Sequence, residues 1–170
     1  MGNSACGEYF VSQEITHAKP RSREEEMALE EVARIVVDQA FKLHQNLGPG
    51  LLESVYEIVL SRALERIGLK VERQKSITIE YDGMEFCSAF RLDLLVDNRL
   101  VVEIKSVEML SKAHSKQLLT YLRLIEQPVG LLINFGSASF REGIKRVVNS
   151  HTNFAASRLR VNQSFSGDGK

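Results

Sequence analysis

The chain has 170 residues, enough for one domain with its own core and too few for two comfortable ones. Its 22 basic and 22 acidic residues, 44% hydrophobic and 26% charged content are those of an ordinary globular protein, so a polyanion would have to be met by a local patch and not by a global field. Two distant cysteines, Cys6 and Cys87, exclude a disulfide framework, a cysteine-based zinc site and an iron–sulfur cluster, and they point to a reducing, cytoplasmic setting.

Residues 1–23 mix Gly, Ser, Lys, Pro and Arg without periodicity and are expected to form a mobile extension. They lack the basic start and apolar core of a secretory signal, and no run in the chain approaches the ~20 apolar residues of a membrane span. Met1-Gly2 would suit acylation only with Ser or Thr at position 6, where Cys6 stands. After Glu24-Glu25-Glu26, Met27, Val32, Ile35, Val36, Ala40, Leu43 and Leu47 recur at helical spacing, and Gly48-Pro49-Gly50 should stop that helix. A second helix carries Leu52, Val55, Tyr56, Val59, Leu60, Ala63, Leu64 and Ile67 as a broad apolar stripe ending near Gly68. Glu53 lies at the edge of that stripe, where a first-turn acid complementing the helix dipole is the plainest explanation.

Past Gly68 the period changes to two. Ile77, Ile79 and Tyr81 alternate with polar neighbours, and Asp82-Gly83 makes a two-residue hairpin turn that pairs Tyr81 with Met84 and Ile79 with Phe86. The next connection can be tested by parity. A two-residue turn at Asp97-Asn98 would scatter the apolar residues and leave Asp93 and Glu103 on opposite faces. A three-residue connection, Asp97 to Arg99, pairs Val96 with Leu100, Leu94 with Val102 and Leu92 with Ile104, and sets Asp93 across from Glu103 with Lys105 on the same face. From Ser111 a helix returns, with Leu118, Leu122 and Ile125 in its core stripe and His114, Gln117 and Tyr121 alongside; Pro128 ends it. Val129–Phe135 reads as a strand buried on both faces, Phe140–Val148 as a short amphipathic helix bearing Arg141, Lys145 and Arg146, and residues 150–170 as a disordered tail. The domain proper is therefore expected over residues 24–149.

Two carboxylates facing one another must take up a proton or share a cation, and hard oxygen donors suit Mg²⁺ or Mn²⁺. A lysine beside them could orient water or stabilise charge on a phosphate, a set suited to phosphodiester hydrolysis. A solvated strand face with a surface ion pair is the alternative these residues leave open, and His114 and Tyr121 by themselves are more often residues at the edge of a core than functional ones.

Gly50-Leu51-Leu52-Glu53-Ser54-Val55-Tyr56 matches the Gly-x-x-Glu-x-x-Tyr signature of a group of small proteins in the PD-(D/E)xK nuclease superfamily. The resemblance continues through Arg91-Leu92-Asp93, Val102-Glu103-Ile104-Lys105, Gln117 to Tyr121 and Gly130 to Gly136. It implies an α/β, restriction-endonuclease-like core of helix, three antiparallel strands, helix and strand, here with an extra N-terminal helix. It also implies Glu53, Asp93 and Glu103 around Mg²⁺ or Mn²⁺, Lys105 as the catalytic lysine, and Tyr56, Arg91, His114, Gln117 and Tyr121 as supporting or substrate-binding residues. The implied activity is a nuclease acting on nucleic acid, DNA first, although members of the superfamily have also lost catalysis or serve as binding subunits.

Overall fold

The helical spacing that follows the acidic run is realised as α1 (Arg23–Leu47) in the computed structural model, which describes residues 23–149 and 159–162. Residues 1–22, most of the expected extension, and 150–158 and 163–170 of the expected tail lie outside the described residues. Val32, Val36, Ala40 and Leu43 turn inward, and the helix stops where Gly48, at φ +67°, donates its N–H to the His44 carbonyl. The second helix, α2, spans Glu53–Arg66. Only part of its expected stripe is covered: Tyr56, Leu60 and Leu64 are fully buried, whereas Leu52, Val55, Val59 and Ile67 are 74%, 36%, 37% and 49% exposed. Apolar residues are thus present on more of α2 than its neighbours cover.

Among the described residues six strands form one sheet: β1 (Val71–Tyr81), β2 (Met84–Val96), β3 (Leu100–Lys105), β4 (Val129–Asn134), β5 (Ile144–Val148) and β6 (Leu159–Asn162), in the order β5-β4-β3-β2-β1-β6. Helix α3 (Lys112–Leu124) carries the chain from β3 to β4, the sheet's single parallel pair among the described residues. The expected helix, three strands, helix, strand core is therefore present as α2-β1-β2-β3-α3-β4, preceded by α1. Both hairpin registers also follow the sequence: Tyr81 opposes Met84, Ile79 opposes Phe86, and the β2–β3 ladder pairs Leu94 with Val102 and Val96 with Leu100 around the three-residue connection. Asp82 and Gly83 at φ +52° and +75°, and Asp97 and Asn98 at φ +48° and +56°, supply the left-handed conformations these turns need.

Three expectations are corrected. The helix expected over Phe140–Val148 is helical only over Phe140–Gly143 (α4), after which Ile144–Val148 pairs antiparallel with β4. The Ile-Lys-Arg-Val-Val segment is as compatible with an edge strand as with a helix, and the open edge of β4 decides between them. Within the expected tail, Leu159–Asn162 pairs with β1 as β6. Finally, Leu92 and Ile104 do not continue the β2–β3 ladder, which ends at Leu94 and Val102.

Two apolar clusters cover the two faces of the sheet. Leu94, Val96, Val102, Ile104, Leu131 and Ile133 meet α1 and α2; Ile77, Leu92, Leu95, Val101 and Leu132 meet α3 through Leu118 and Leu122. Leu92 and Leu94, two residues apart, lie in different clusters, so strand alternation breaks at Asp93 between them. Among the described residues no helix is long and apolar enough to cross a membrane.

The uneven covering of α2 gives a direct check of the packing. Leu60→Ala should cost about 2–5 kcal/mol in urea-induced unfolding, and Val59→Ala less than about 1 kcal/mol. Equal losses would mean that the outer face is covered after all.

Candidate active site

The site forms where β2 and β3 part. Past Leu94 the ladder is replaced by a side chain: Asp93 Oδ2 accepts the Ile104 N–H at 2.8 Å. On β3, Val102 and Ile104 face the α1/α2 layer, so Glu103 and Lys105, which alternate with them, project from the other face. Lys105 Nζ donates to Glu103 Oε1 at 2.7 Å, and Glu103 is only 3% exposed. Its second oxygen, Oε2, is buried with no hydrogen-bond partner.

Two more acids approach from α2. Glu53, its first residue, accepts the Ser106 N–H at 3.0 Å, just past the end of β3, while the Ser106 hydroxyl donates to the Leu51 carbonyl at 2.7 Å. Glu57, one turn on and 5% exposed, accepts from Arg73 Nε at 2.9 Å and from Gln74 Nε2 at 2.6 Å. Gln74 stands at φ +48° on β1, and the same amide nitrogen also reaches Asp93 Oδ1 at 3.3 Å. Gln74, Glu57 and Ser106 were not singled out by sequence reasoning. Left-handed backbone at a glutamine leaves no trace in the sequence, and Glu57 looks like a surface acid beside an apolar stripe.

The supporting candidates divide into those that hold the scaffold and those that remain available. Tyr56, fully buried, stacks on Phe135 with ring centroids 4.4 Å apart, accepts the Leu51 N–H and donates to the Gly48 carbonyl. It clamps the loop from Gly48 to Leu51, just in front of Glu53. His114 completes a capping box, its Nδ1 accepting the Ser111 N–H while its own N–H bonds Ser111 Oγ, so it secures the start of α3. Gln117 Nε2 donates to the Tyr121 hydroxyl at 2.8 Å, and Tyr121 stacks on Phe90 of β2 at 4.2 Å. Arg91 is exposed on β2, opposite Ser76.

Electrostatics mark the same residues. Burial, then the charge of Asp93, raises the Glu103 carboxyl to about 7, against the opposing hydrogen bond and charge of Lys105. Burial also raises Asp93, opposed by the Ile104 N–H and the charge of Lys105. Burial works against the charged form of Lys105, but its hydrogen bond to Glu103 and the charges of Glu103, Asp93 and Glu53 outweigh it, so the ammonium is held more firmly than usual. If ionised, Glu53, Asp93 and Glu103 carry three negative charges against one ammonium, leaving the charge that a single divalent cation would neutralise. Among the described residues no three His, Cys, Asp or Glu side chains are gathered closely enough to hold a metal by themselves. A Mg²⁺-type ion does not require it, since one or two carboxylates with water and phosphate oxygens suffice, and the unpartnered Glu103 Oε2 fits that need. Asp93 and Glu103 are the residues that could hold such an ion, with Glu53 at the rim.

A family model for the PD-(D/E)XK nuclease superfamily matches residues 30–147, from α1 to β5. No curated protein and no solved structure matches the chain.

The Glu103 shift sets a pH dependence of stability. Between the ordinary 4.5 and about 7 the unfolded chain has released this proton and the folded chain keeps it. The native state therefore loses stability as pH rises across that window, on the order of 3 kcal/mol. Glu103→Gln, which cannot ionise, should gain on the parent by that order between about pH 4.5 and about pH 7.5 in urea titrations. A difference that stays constant with pH would contradict the assignment.

Proposed function

Since the chain belongs to the PD-(D/E)XK nuclease superfamily, we propose that it is a metal-dependent nuclease that hydrolyses phosphodiester bonds, with DNA as substrate and Mg²⁺ or Mn²⁺ as cofactor. We place it in the group marked by Gly50, Glu53 and Tyr56 of the Gly-x-x-Glu-x-x-Tyr signature, acting in the cytoplasm. The observation that carries this reading is the buried, unpartnered Glu103 Oε2 beside Asp93 and Lys105, an arrangement that costs stability and leaves a carboxylate oxygen free to bind a ligand.

Asp93 and Glu103 would hold the cation, with the Glu53 carboxylate nearby. When bound, a divalent cation polarises the phosphodiester and makes the attacking water more acidic. The protein's own contribution is to keep the two carboxylates together and to exclude water from Glu103. Lys105 donates hydrogen bonds to a phosphate oxygen or to the attacking water and stabilises the charge that builds in the transition state. Gln117 and Tyr121 support the nucleic-acid backbone from α3, and exposed Arg91 can pair with a phosphate. Tyr56 and His114 act by holding the α2 loop and the α3 start, and they need not touch substrate.

One observation favours a second reading, a nuclease-fold module that binds nucleic acid without cutting it. Lys105 neutralises Glu103 within the protein at 2.7 Å, so one carboxylate is partly satisfied without a metal.

Cleavage assays separate the two. The parent should cut DNA only with Mg²⁺ or Mn²⁺, and Asp93→Ala and Lys105→Ala should each lower the rate by about a thousand-fold or more. Cutting that survives in both variants would sink the site assignment, whereas metal-independent binding without cutting, retained in Asp93→Ala, would favour the module.

A further inference from the structure

We infer that Asn134, at the end of β4 and outside the Asp93, Glu103 and Lys105 set, is a positioning residue that fixes the Glu53 carboxylate through Ser106. The inference rests on the nuclease reading for its catalytic readout, but its geometry stands apart from it. Asn134 is fully buried, and its amide is spent on backbone and hydroxyl partners. Its Oδ1 accepts the N–H of Val107 at 2.9 Å and that of Gly136 at 3.1 Å; its Nδ2 donates to the Val107 carbonyl at 2.7 Å and to Ser137 Oγ at 2.9 Å. One side chain thus meets both peptide groups of Val107 as a neighbouring strand would.

The backbones around it are drawn close. The Phe135 N–H donates to the Lys105 carbonyl at 2.8 Å, carrying the β3–β4 pairing past Lys105. A Cβ on Gly136 would lie 2.5 Å from Val107 O and 2.6 Å from Val107 N, so only glycine permits this approach. Lys105 and Val107 are therefore pinned on either side of Ser106.

Ser106 in turn holds the start of α2 by two bonds, N–H to Glu53 and hydroxyl to the Leu51 carbonyl. Glu53 is exposed, and the N-cap residue Leu52 offers no side-chain hydrogen bond. An exposed glutamate at a helix start samples several rotamers unless a donor selects one. The Ser106 N–H is that donor, and its position is set by Asn134, a strand away.

The test uses the full chain with Asn134→Ser, Ser106→Ala and, as a control, Ser137→Ala, which removes one hydrogen bond from Asn134 but leaves Val107 held. Two readouts are taken: the Mg²⁺ concentration giving half of the Mg²⁺-induced rise in Tm, and kcat with KM on DNA. In Asn134→Ser and Ser106→Ala the Mg²⁺ midpoint should rise about tenfold or more and kcat should fall in parallel, while KM changes less than about threefold. Ser137→Ala should lower Tm yet keep the parental midpoint and kcat. Identical midpoints in all four proteins, or a Ser137→Ala that behaves like Asn134→Ser, would overturn the inference. Should Asn134→Ser fail to fold, Asn134→Asp, which keeps the acceptor for the Val107 and Gly136 N–H groups but loses the donor to the Val107 carbonyl, takes its place with the same expected rise in midpoint. A parent that responds to Mg²⁺ but does not cut sinks the nuclease reading while the midpoints still judge Asn134; a parent with no Mg²⁺ response sinks both.

Discussion

The structure turns on one hydrogen bond that a side chain makes where a strand would be expected to make it. The Ile104 N–H, next in line after the last β2–β3 pair, is accepted by the Asp93 carboxylate at 2.8 Å. The sheet opens there without leaving a buried donor unsatisfied. Because alternation breaks at the same point, Leu92 packs in the α3 layer with Leu95 while Leu94 stays under α1 and α2 with Val96. The gap brings the Asp93 charge close enough to oppose ionisation of Glu103.

Gln74 performs the matching service on β1. Its left-handed backbone lets one amide reach Glu57 on α2 and Asp93 on β2, tying the helix layer to the point where the strands divide. Asp93 therefore has a backbone donor on one oxygen and an amide on the other, and it is oriented before any ligand arrives. Glu103, by contrast, has one oxygen on Lys105 and one with no partner. The two central acids are thus prepared differently, Asp93 fixed and Glu103 left with spare bonding capacity in a dry setting, at an expense in stability that a core of leucines would have avoided.

What could be read in the sequence was whatever parity or turn chemistry dictates. The three-residue connection at Asp97–Arg99 followed from keeping Leu94, Val96, Leu100 and Val102 on one face, and the Asp82-Gly83 turn from its need for positive φ. Parity also overreached, since it continued the ladder to Leu92 and Ile104, where a carboxylate competes for the same N–H. Residues whose roles depend on distant backbone were illegible for the same kind of reason: Ser106 meets Glu53 across 53 positions, and the Gln74–Glu57 contact depends on a φ angle that glutamine rarely adopts. The α4–β5 segment is ambiguous in sequence because its pattern fits two structures, and the open edge of β4 makes the choice. His114 caps a helix in a place where the usual partner would be glutamate or glutamine, so its spacing was visible but its duty was not.

The parallel pairing of β3 with β4 carries a consequence for the order in which the chain acquires its structure. The β1–β2 and β2–β3 hairpins close over turns of two and three residues, so their loops form at small entropic expense. The β4 contacts must await the whole α3 crossover, and the bond from Ser106 to Glu53 joins segments more than fifty residues apart. Asp93, Glu103 and Lys105 share the local β2–β3 hairpin, whereas Glu53 joins them only when the long-range contacts form. The complete cluster of acids therefore depends on the docking of α2 and β4, and not on the hairpin alone.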